Sequence, residues 1–243
     1  MIRRLLIAAI CLLLALPAHA QVAFSAGNTG SGSSSPVSSG NFTVDSASDR
    51  VIIVCTAVED IAAGDAVTAV TWNGGAQSFT EFGTVTNVGA FYVQSWYLVN
   101  PTAATSAASA VIGGLFASAS ITAGYYSGAH QTTPLSDRTT NTGTGTAVTV
   151  TVPNASANDF IQDCMVGYGA TETPGAGQTQ IGTTQNPNGT FAGSRQDGTD
   201  GGVMSWTQGS STDWMTIGVR VLPAGAPPAT APRLTLLGVG LTR

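Results

Sequence analysis

The sequence contains no lysine, and each of its eight basic residues is an arginine. Charged residues make up 9% of the chain, whereas about a quarter is typical of soluble proteins. Arg3 and Arg4 lie in the N-terminal segment, and without them the formal net charge changes from −5 to −7. Because clustered basic side chains supply most of the affinity for phosphate backbones, we exclude nucleic acid as a partner.

Histidine and cysteine are also scarce, which argues against the common metal sites. Beyond the N-terminal segment only His130, Cys55 and Cys164 remain, and their spacing matches no zinc motif. Both cysteines lie in apolar runs that are typical of strands. In an oxidising compartment they would form a disulfide, whereas the alternative is a pair of free, buried thiols. The spacing leaves both interpretations open.

No apolar run is long enough to span a bilayer comfortably. The N-terminal segment, residues 1–20, has the pattern of a secretory signal peptide, with two arginines, an apolar stretch and an Ala18-His19-Ala20 cleavage site. We therefore predict cleavage near Ala20 and export to the cell exterior or the periplasm, with no membrane span in the mature chain. A place on a virion is the alternative location.

Helical periodicity is nearly absent beyond residue 20, and short apolar, β-branched runs alternate with turn-forming clusters instead. The unbroken apolar run at 50–58 predicts a strand covered on both faces. The alternation of valine and threonine at 147–152 predicts a strand with one buried face. We predict an all-β protein, an antiparallel two-sheet β-sandwich of jelly-roll type with about a dozen strands. Residues 21–222 form its single domain, and 223–243 form a Pro/Ala linker and a short apolar tail.

Four short motifs follow one another along the chain. They are Val70-Thr71-Trp72-Asn73-Gly74-Gly75, Trp96-Tyr97-Leu98-Val99-Asn100-Pro101, Tyr126-Ser127-Gly128 followed by Gln131-Thr132-Thr133-Pro134, and Ile217-Gly218-Val219. Their order resembles a group of β-sandwich modules in bacterial secreted and cell-surface proteins and in phage structural proteins. The resemblance covers residues 42–223. It implies a jelly-roll or lectin-like sandwich that acts in adhesion or binding.

Aromatic side chains beside predicted turns are the candidates for ligand binding, because an exposed ring can stack on the face of a sugar. Trp72 precedes an Asn-Gly hairpin turn, and Tyr126 precedes the loop that carries His130. For any single aromatic ring, these included, a position in the core is the alternative. The predicted ligand-binding residues are Trp72, Asn73, Tyr125, Tyr126, His130 and Gln131.

The segment 197–202, Asp-Gly-Thr-Asp-Gly-Gly, offers two carboxylates in a glycine-rich turn. Ca²⁺ takes oxygen ligands from flexible loops of this kind. Asp197 and Asp200 are therefore candidate calcium ligands, with a plain glycine turn as the alternative. No other cofactor is predicted.

The sequence contains no recognisable set of catalytic residues, and we predict that the protein is not an enzyme. His130 lies near Ser127 and Asp137, but no Gly-x-Ser-x-Gly motif occurs. The predicted function is that of an exported binding or adhesion module that recognises glycans or a cell surface. A structural assembly subunit of a virion or surface layer, with protein contacts or self-assembly through the tail at 233–243, is the alternative. A secreted hydrolase is a weaker one.

Overall fold

Antiparallel strands form nearly all of the regular structure, and the one short helix among the described residues is a 3₁₀ turn at Gly198–Asp200. The structure is a computed structural model that describes residues 21–60, 67–169, 171–186 and 189–225. The strands belong to one compact unit, Ala20–Ala224. The prediction of an antiparallel all-β protein is confirmed.

Eighteen strands are present in the described ranges. In chain order they are β1 Ala23–Gly32, β2 Val37–Ser38, β3 Phe42–Val44, β4 Val51–Asp60, β5 Val67–Trp72, β6 Gln77–Ser78, β7 Thr80–Glu81, β8 Thr86–Val88, β9 Phe91–Val99, β10 Ala104–Ser106, β11 Ala108–Ile112, β12 Phe116–Ser127, β13 Leu135–Thr151, β14 Phe160–Gly167, β15 Glu172–Pro174, β16 Thr179–Asn186, β17 Gly189–Asp197 and β18 Val203–Val221.

A six-stranded central sheet has the order β1-β12-β4-β9-β7, with β8 also paired to β9. Its middle strand β4 is the unbroken apolar run seen in the sequence. Ile52 and Val54 point to one face and Ile53 and Cys55 to the other, since side chains alternate along a strand. All four are buried. The prediction of a strand covered on both faces is therefore confirmed.

One face of the central sheet is covered by two smaller sheets, β2-β11-β5-β6 and β10-β3. Val70 and Trp72 of β5 and Phe42 of β3 pack against Ile52 and Val54 in the largest apolar cluster. The turn after β5 follows the Asn-Gly rule, because Asn73 has φ +53° and Gly74 has φ +67°. This half of the molecule is a sandwich of antiparallel layers.

The other face of the central sheet is covered by a six-stranded C-terminal sheet, ordered β13-β18-β14-β17-β16, with β15 paired to β18. Cys164 and Val166 of β14 and Met215 of β18 pack against Cys55 and Ala57. The two large sheets, the central one and the C-terminal one, have six strands each, as in a sandwich of two sheets, and the two smaller sheets add to them. The central sheet lies between two layers because its strands are apolar on both faces.

The long strands β13 and β18 shift register where Gly145 and Thr212 pair but Ala147 pairs with Thr207. The first half of β18, residues 203–208, pairs with β13 and β15. The second half, residues 212–221, pairs with β13 and β14. The first half of β18 brings Trp206 onto Met165, on the face of β14 that points away from the central sheet. The alternation at 147–152 is confirmed, because valines 148, 150 and 152 are buried there.

The predicted signal peptide at 1–20 and most of the predicted tail, 226–243, lie outside the described residues. Within the described ranges, no helix is long or apolar enough for a membrane crossing.

Candidate functional site

Trp72 was predicted to bind ligand, but the structure places it in the core with 0% of its surface exposed. Its indole Nε1 donates to the Thr102 carbonyl at 3.1 Å, and its ring packs on Phe42 at 4.9 Å between centroids. Trp72 occupies the same face of β5 as Val70, which points toward the central sheet. A ring in this position cannot stack on a sugar, so the prediction for Trp72 is corrected.

Tyr125 and Tyr126 are also buried, on opposite faces of β12. The Tyr125 hydroxyl donates to Asp45 Oδ1 at 2.6 Å, and the Tyr126 hydroxyl donates to Gln162 Oε1 at 2.9 Å. Burial raises the pKa of both phenols. Both rings and both hydroxyls are used inside the fold, and neither is available to a surface ligand as predicted.

The remaining predicted ligand-binding residues maintain turns. His130 Nδ1 accepts from the backbone N–H groups of Thr132 and Thr133, at 3.2 and 3.0 Å. Gln131 Nε2 donates to the carbonyls of Arg50 and Ala129. Asn73 lies in the hairpin turn, half-buried. These contacts fix loop geometry, and they do not gather the residues around an exposed ring.

Asp137, the carboxylate that follows His130 in sequence, pairs with Arg220 at 2.8 Å instead. It also accepts from Ser136 and Asn154. Hydrogen bonds from these neighbours hold the pKa of Asp137 below its ordinary value. Asp137 therefore belongs to a surface ion pair near β18.

Asp197, a predicted calcium ligand, caps the 3₁₀ turn, where its Oδ1 accepts from the Thr199 backbone N–H and hydroxyl. Gly201 and Gly202 follow with φ +66° and +79°, as a glycine turn requires. The side chain of Asp200 lies outside the described residues. In the described part of the chain, no group of three or more His, Cys, Asp or Glu residues is arranged around a common point for a metal.

Cys55 and Cys164 lie on facing strands of the central and C-terminal sheets. Both are buried free thiols. The Cys164 thiol is hydrogen-bonded to Cys55, and burial together with that neighbour raises the pKa of Cys164. The structure therefore brings the two cysteines together without joining them, which the sequence spacing left open.

A surface depression lies where the C-terminal sheet meets the turn between β8 and β9. Its cavity volume is about 80 Å³, which is smaller than the roughly 300 Å³ at which sites for drug-sized ligands begin, so it can hold only part of a ligand. The lining residues are Gly89, Ala90, Phe91, Tyr168, Asp213 and Trp214. None of them was predicted as a site residue from the sequence.

Tyr168 is the exposed aromatic residue of this depression, with 45% of its surface accessible. It follows the last residue of β14, and its ring lies against Phe91 with 4.7 Å between centroids. The Tyr168 hydroxyl donates to Glu59 Oε1 at 3.5 Å. The ring is therefore fixed on one side by Phe91 and remains open to solvent on another.

Two carboxylates lie beside the Tyr168 ring. Glu59 Oε2 accepts from the Ser118 hydroxyl at 3.2 Å, and Asp213 Oδ1 accepts from the Thr144 hydroxyl at 2.5 Å. Burial and, to a lesser extent, the charges of Glu59 and Asp213 raise the pKa of the Tyr168 phenol. The site therefore combines an apolar ring face with negatively charged oxygen acceptors.

Trp214 closes the buried side of the depression. Its indole Nε1 has no hydrogen-bond partner among the described residues. The indole covers Gly143 so closely that a Cβ on this glycine would lie 2.6 Å from Trp214 Cζ2. Gly143 is thus needed for Trp214 to lie flat on β13.

The sequence contained one signal for this site. Tyr168 stands between Gly167 and Gly169 at the end of an apolar strand, and Glu59 directly follows the apolar run of β4. Polar or aromatic residues at strand ends mark the rim of a sandwich, where ligands bind. The pairing of Tyr168 with Glu59, 109 residues apart, has no local signal.

Comparison of the chain with protein-family models, with curated proteins and with solved structures found no match in any of the three. The function is therefore inferred from the geometry of the depression around Tyr168 and from the chemistry of its lining.

Proposed function

We propose that the chain is an exported, non-enzymatic module that binds neutral glycans at the Tyr168 depression. The observation that carries the proposal is an exposed ring held beside two carboxylates, Glu59 and Asp213, at a concave surface. The signal-peptide pattern at residues 1–20 supports export.

The chemistry of the lining favours a sugar over a purely apolar ligand. A pyranose has an apolar C–H face that packs on an aromatic ring, and hydroxyls that donate to carboxylate oxygens. The carboxylate oxygens of Glu59 and Asp213 are the acceptors that the lining offers to such hydroxyls. Since the carboxylates repel like charge, uronic and sialic acids are disfavoured and neutral or amino sugars are preferred.

A jelly-roll sandwich is the finer fold that goes with this proposal. In the N-terminal half, the chain passes repeatedly between the central sheet and the facing sheets. Early strands lie beside late ones, with β1 next to β12 and β2 next to β11. This interleaving supports a jelly-roll arrangement, to which the C-terminal sheet is added as a third layer.

Glycan-array screening followed by calorimetric titration with the best neutral oligosaccharide tests the function. Removal of the ring in Tyr168→Ala is expected to weaken binding at least about tenfold, which corresponds to about 1.4 kcal/mol. Tyr168→Phe keeps the ring and loses only the long hydrogen bond to Glu59, so it should bind nearly as well as the parent protein.

The matched control is Val203→Ala, because Val203 is an apolar residue with the same exposure as Tyr168. Circular dichroism verifies that each variant is folded. Binding that survives in Tyr168→Ala, or an array without any bound glycan, would overturn the proposal. Release of shorter products from the bound oligosaccharide would contradict its non-enzymatic part.

A further inference from the structure

A second cluster of polar groups lies on β15 and β18, where Glu172 pairs directly with Gln208. Gln208 is 1% exposed. Its Nε2 donates to the carbonyls of Gly145 and Thr212, at 2.5 and 2.9 Å, which fixes the orientation of the amide. Its Oε1 is buried and has no partner among the described residues.

The unpaired oxygens of Gln208 and Glu172 face the same space. A Cβ on Gly169 would lie 3.0 Å from Gln208 Oε1 and 3.2 Å from Glu172 Oε1. A Cβ on Gly167 would lie 2.6 Å from Gln208 Oε1 and 3.3 Å from the Asp213 carbonyl oxygen. The Gly169 Cβ would also lie 2.7 Å from Gln208 Cβ. Because the two glycines have no side chains, the oxygens of Gln208 and Glu172 can lie against the backbone and close to one another.

Both carboxyl oxygens of Glu172 are buried and lack a hydrogen-bond partner in the described part of the chain. The Thr190 hydroxyl lies beside this carboxyl and lowers its pKa, but its single hydrogen is donated to the Gly169 carbonyl. Burial has the larger effect and raises the pKa of Glu172 to about 7. The cluster therefore has more acceptors than donors.

Buried acceptors without partners are costly, each by about 1–3 kcal/mol, and a buried carboxylate costs more. A cation satisfies several of them at once, and Ca²⁺ prefers carboxylate, amide and backbone carbonyl oxygens. We propose that Glu172 and Gln208, with the backbone carbonyls of Gly169 and Asp213, form a binding site for a divalent cation with oxygen ligands such as Ca²⁺. The proposal does not depend on glycan binding.

The test uses the whole protein, stripped of metal by chelator and titrated with CaCl₂ at pH 8 by calorimetry and thermal unfolding. A dissociation constant of about 0.1–1 mM is expected, as in other sites with few charged ligands, together with a rise in Tm. Affinity should fall below pH 7, because a proton competes with the cation for Glu172.

Two variants and one matched control locate the site. Glu172→Gln removes the charge. Gly169→Ala places a methyl group 2.7 Å from Gln208 Cβ and so displaces the Gln208 side chain. Each variant should lose at least about tenfold in affinity. Asp197→Asn is the control, because Asp197 lies in the glycine turn, and it should bind Ca²⁺ as the parent protein does.

Absence of any Ca²⁺ response up to about 10 mM, far above the expected dissociation constant, would overturn the proposal and leave a protonated Glu172 or a water as the partner of Gln208. A response that survives in both site variants, or is lost in Asp197→Asn, would also overturn it. Glycan binding measured in the presence of chelator tests the Tyr168 site by itself. It therefore distinguishes a failure of the cation proposal from a failure of the glycan proposal.

Discussion

Asp163 and Glu172 are two buried carboxyl groups in the same sheet, and they have opposite hydrogen-bonding environments. Asp163 accepts from the Ser194 backbone N–H and hydroxyl and from Trp206 Nε1, at 3.1, 2.6 and 2.7 Å. Both oxygens of Glu172 are unpaired. Burial raises the pKa of each group to about 7.

The difference shows that a shifted pKa does not by itself indicate a role. Asp163 lies between Ser194 and Trp206 and completes a network in which every donor has a partner, as structural buried polar groups do. Glu172 lies beside Gly169 and the unpaired Oε1 of Gln208. We therefore assign Asp163 to the stability of the C-terminal sheet and Glu172 to a ligand.

The largest expected effect is the loss of stability in Asp163→Ala. This substitution leaves the donors of Ser194 and Trp206 buried and unpaired, at about 1–3 kcal/mol each, so the free energy of unfolding should fall by at least about 3 kcal/mol. Glu172→Ala removes acceptors that are already unpaired, so in chelator it should not lower the free energy of unfolding.

Urea denaturation of both variants at pH 6 in chelator measures this contrast. Equal losses of stability in Asp163→Ala and Glu172→Ala would break the distinction between the two carboxyl groups.

An intermediate effect is expected in the pH dependence of stability. The folded-state pKa values of about 7 lie above the ordinary values of 3.8 and 4.5. At pH values between the ordinary pKa and the folded-state pKa, each carboxyl is ionised in the unfolded chain and still protonated in the folded chain. The stabilisation from each group is therefore complete below the ordinary pKa and is lost as pH rises toward 7.

Unfolding free energies at pH 5 and pH 8 check this prediction. The decrease in unfolding free energy from pH 5 to pH 8 should be smaller in Asp163→Asn than in the parent protein. Addition of Ca²⁺ at pH 8 should offset only the loss of stability that comes from ionisation of Glu172. It should therefore stabilise Asp163→Asn but not Glu172→Gln. A decline that is unchanged in Asp163→Asn would contradict the raised pKa of Asp163.

The smallest effect is expected from Trp206→Phe, which removes one of the donors to Asp163. Since that hydrogen bond favours the ionised carboxyl, the pKa of Asp163 should rise further. Carboxyl-carbon NMR titration measures the change. Trp72→Phe is the matched control, because Trp72 donates to Thr102 in another layer and should leave the titration of Asp163 unchanged. A lowered pKa in Trp206→Phe would contradict the prediction.

Local sequence patterns predicted the strands well. The apolar run of β4, the alternation in β13 and the Asn73 turn correspond to features of the structure. The burial of Trp72 also follows a local rule, because Trp72 lies on the same face of β5 as the buried Val70. Exposure was predicted for Trp72 only because it is next to a turn, and that prediction was wrong.

The layers and the candidate sites depend on pairing between distant segments, for which the sequence has no local signal. Tyr168 gains its carboxylate neighbours only when β4 and β18 are in place, and Glu172 meets Gln208 only through the pairing of β15 with β18. The number of layers likewise depends on which apolar faces meet, and hydrophobic periodicity shows only that a face is buried.

The pairing of β18 has a consequence for biosynthesis. This strand, the last one in the described residues, is hydrogen-bonded to β13, β14 and β15, so the C-terminal sheet cannot close until residue 221 has left the ribosome. Contacts of such long sequence separation also form slowly. The nascent chain consequently stays open along this half until β18 has been synthesised.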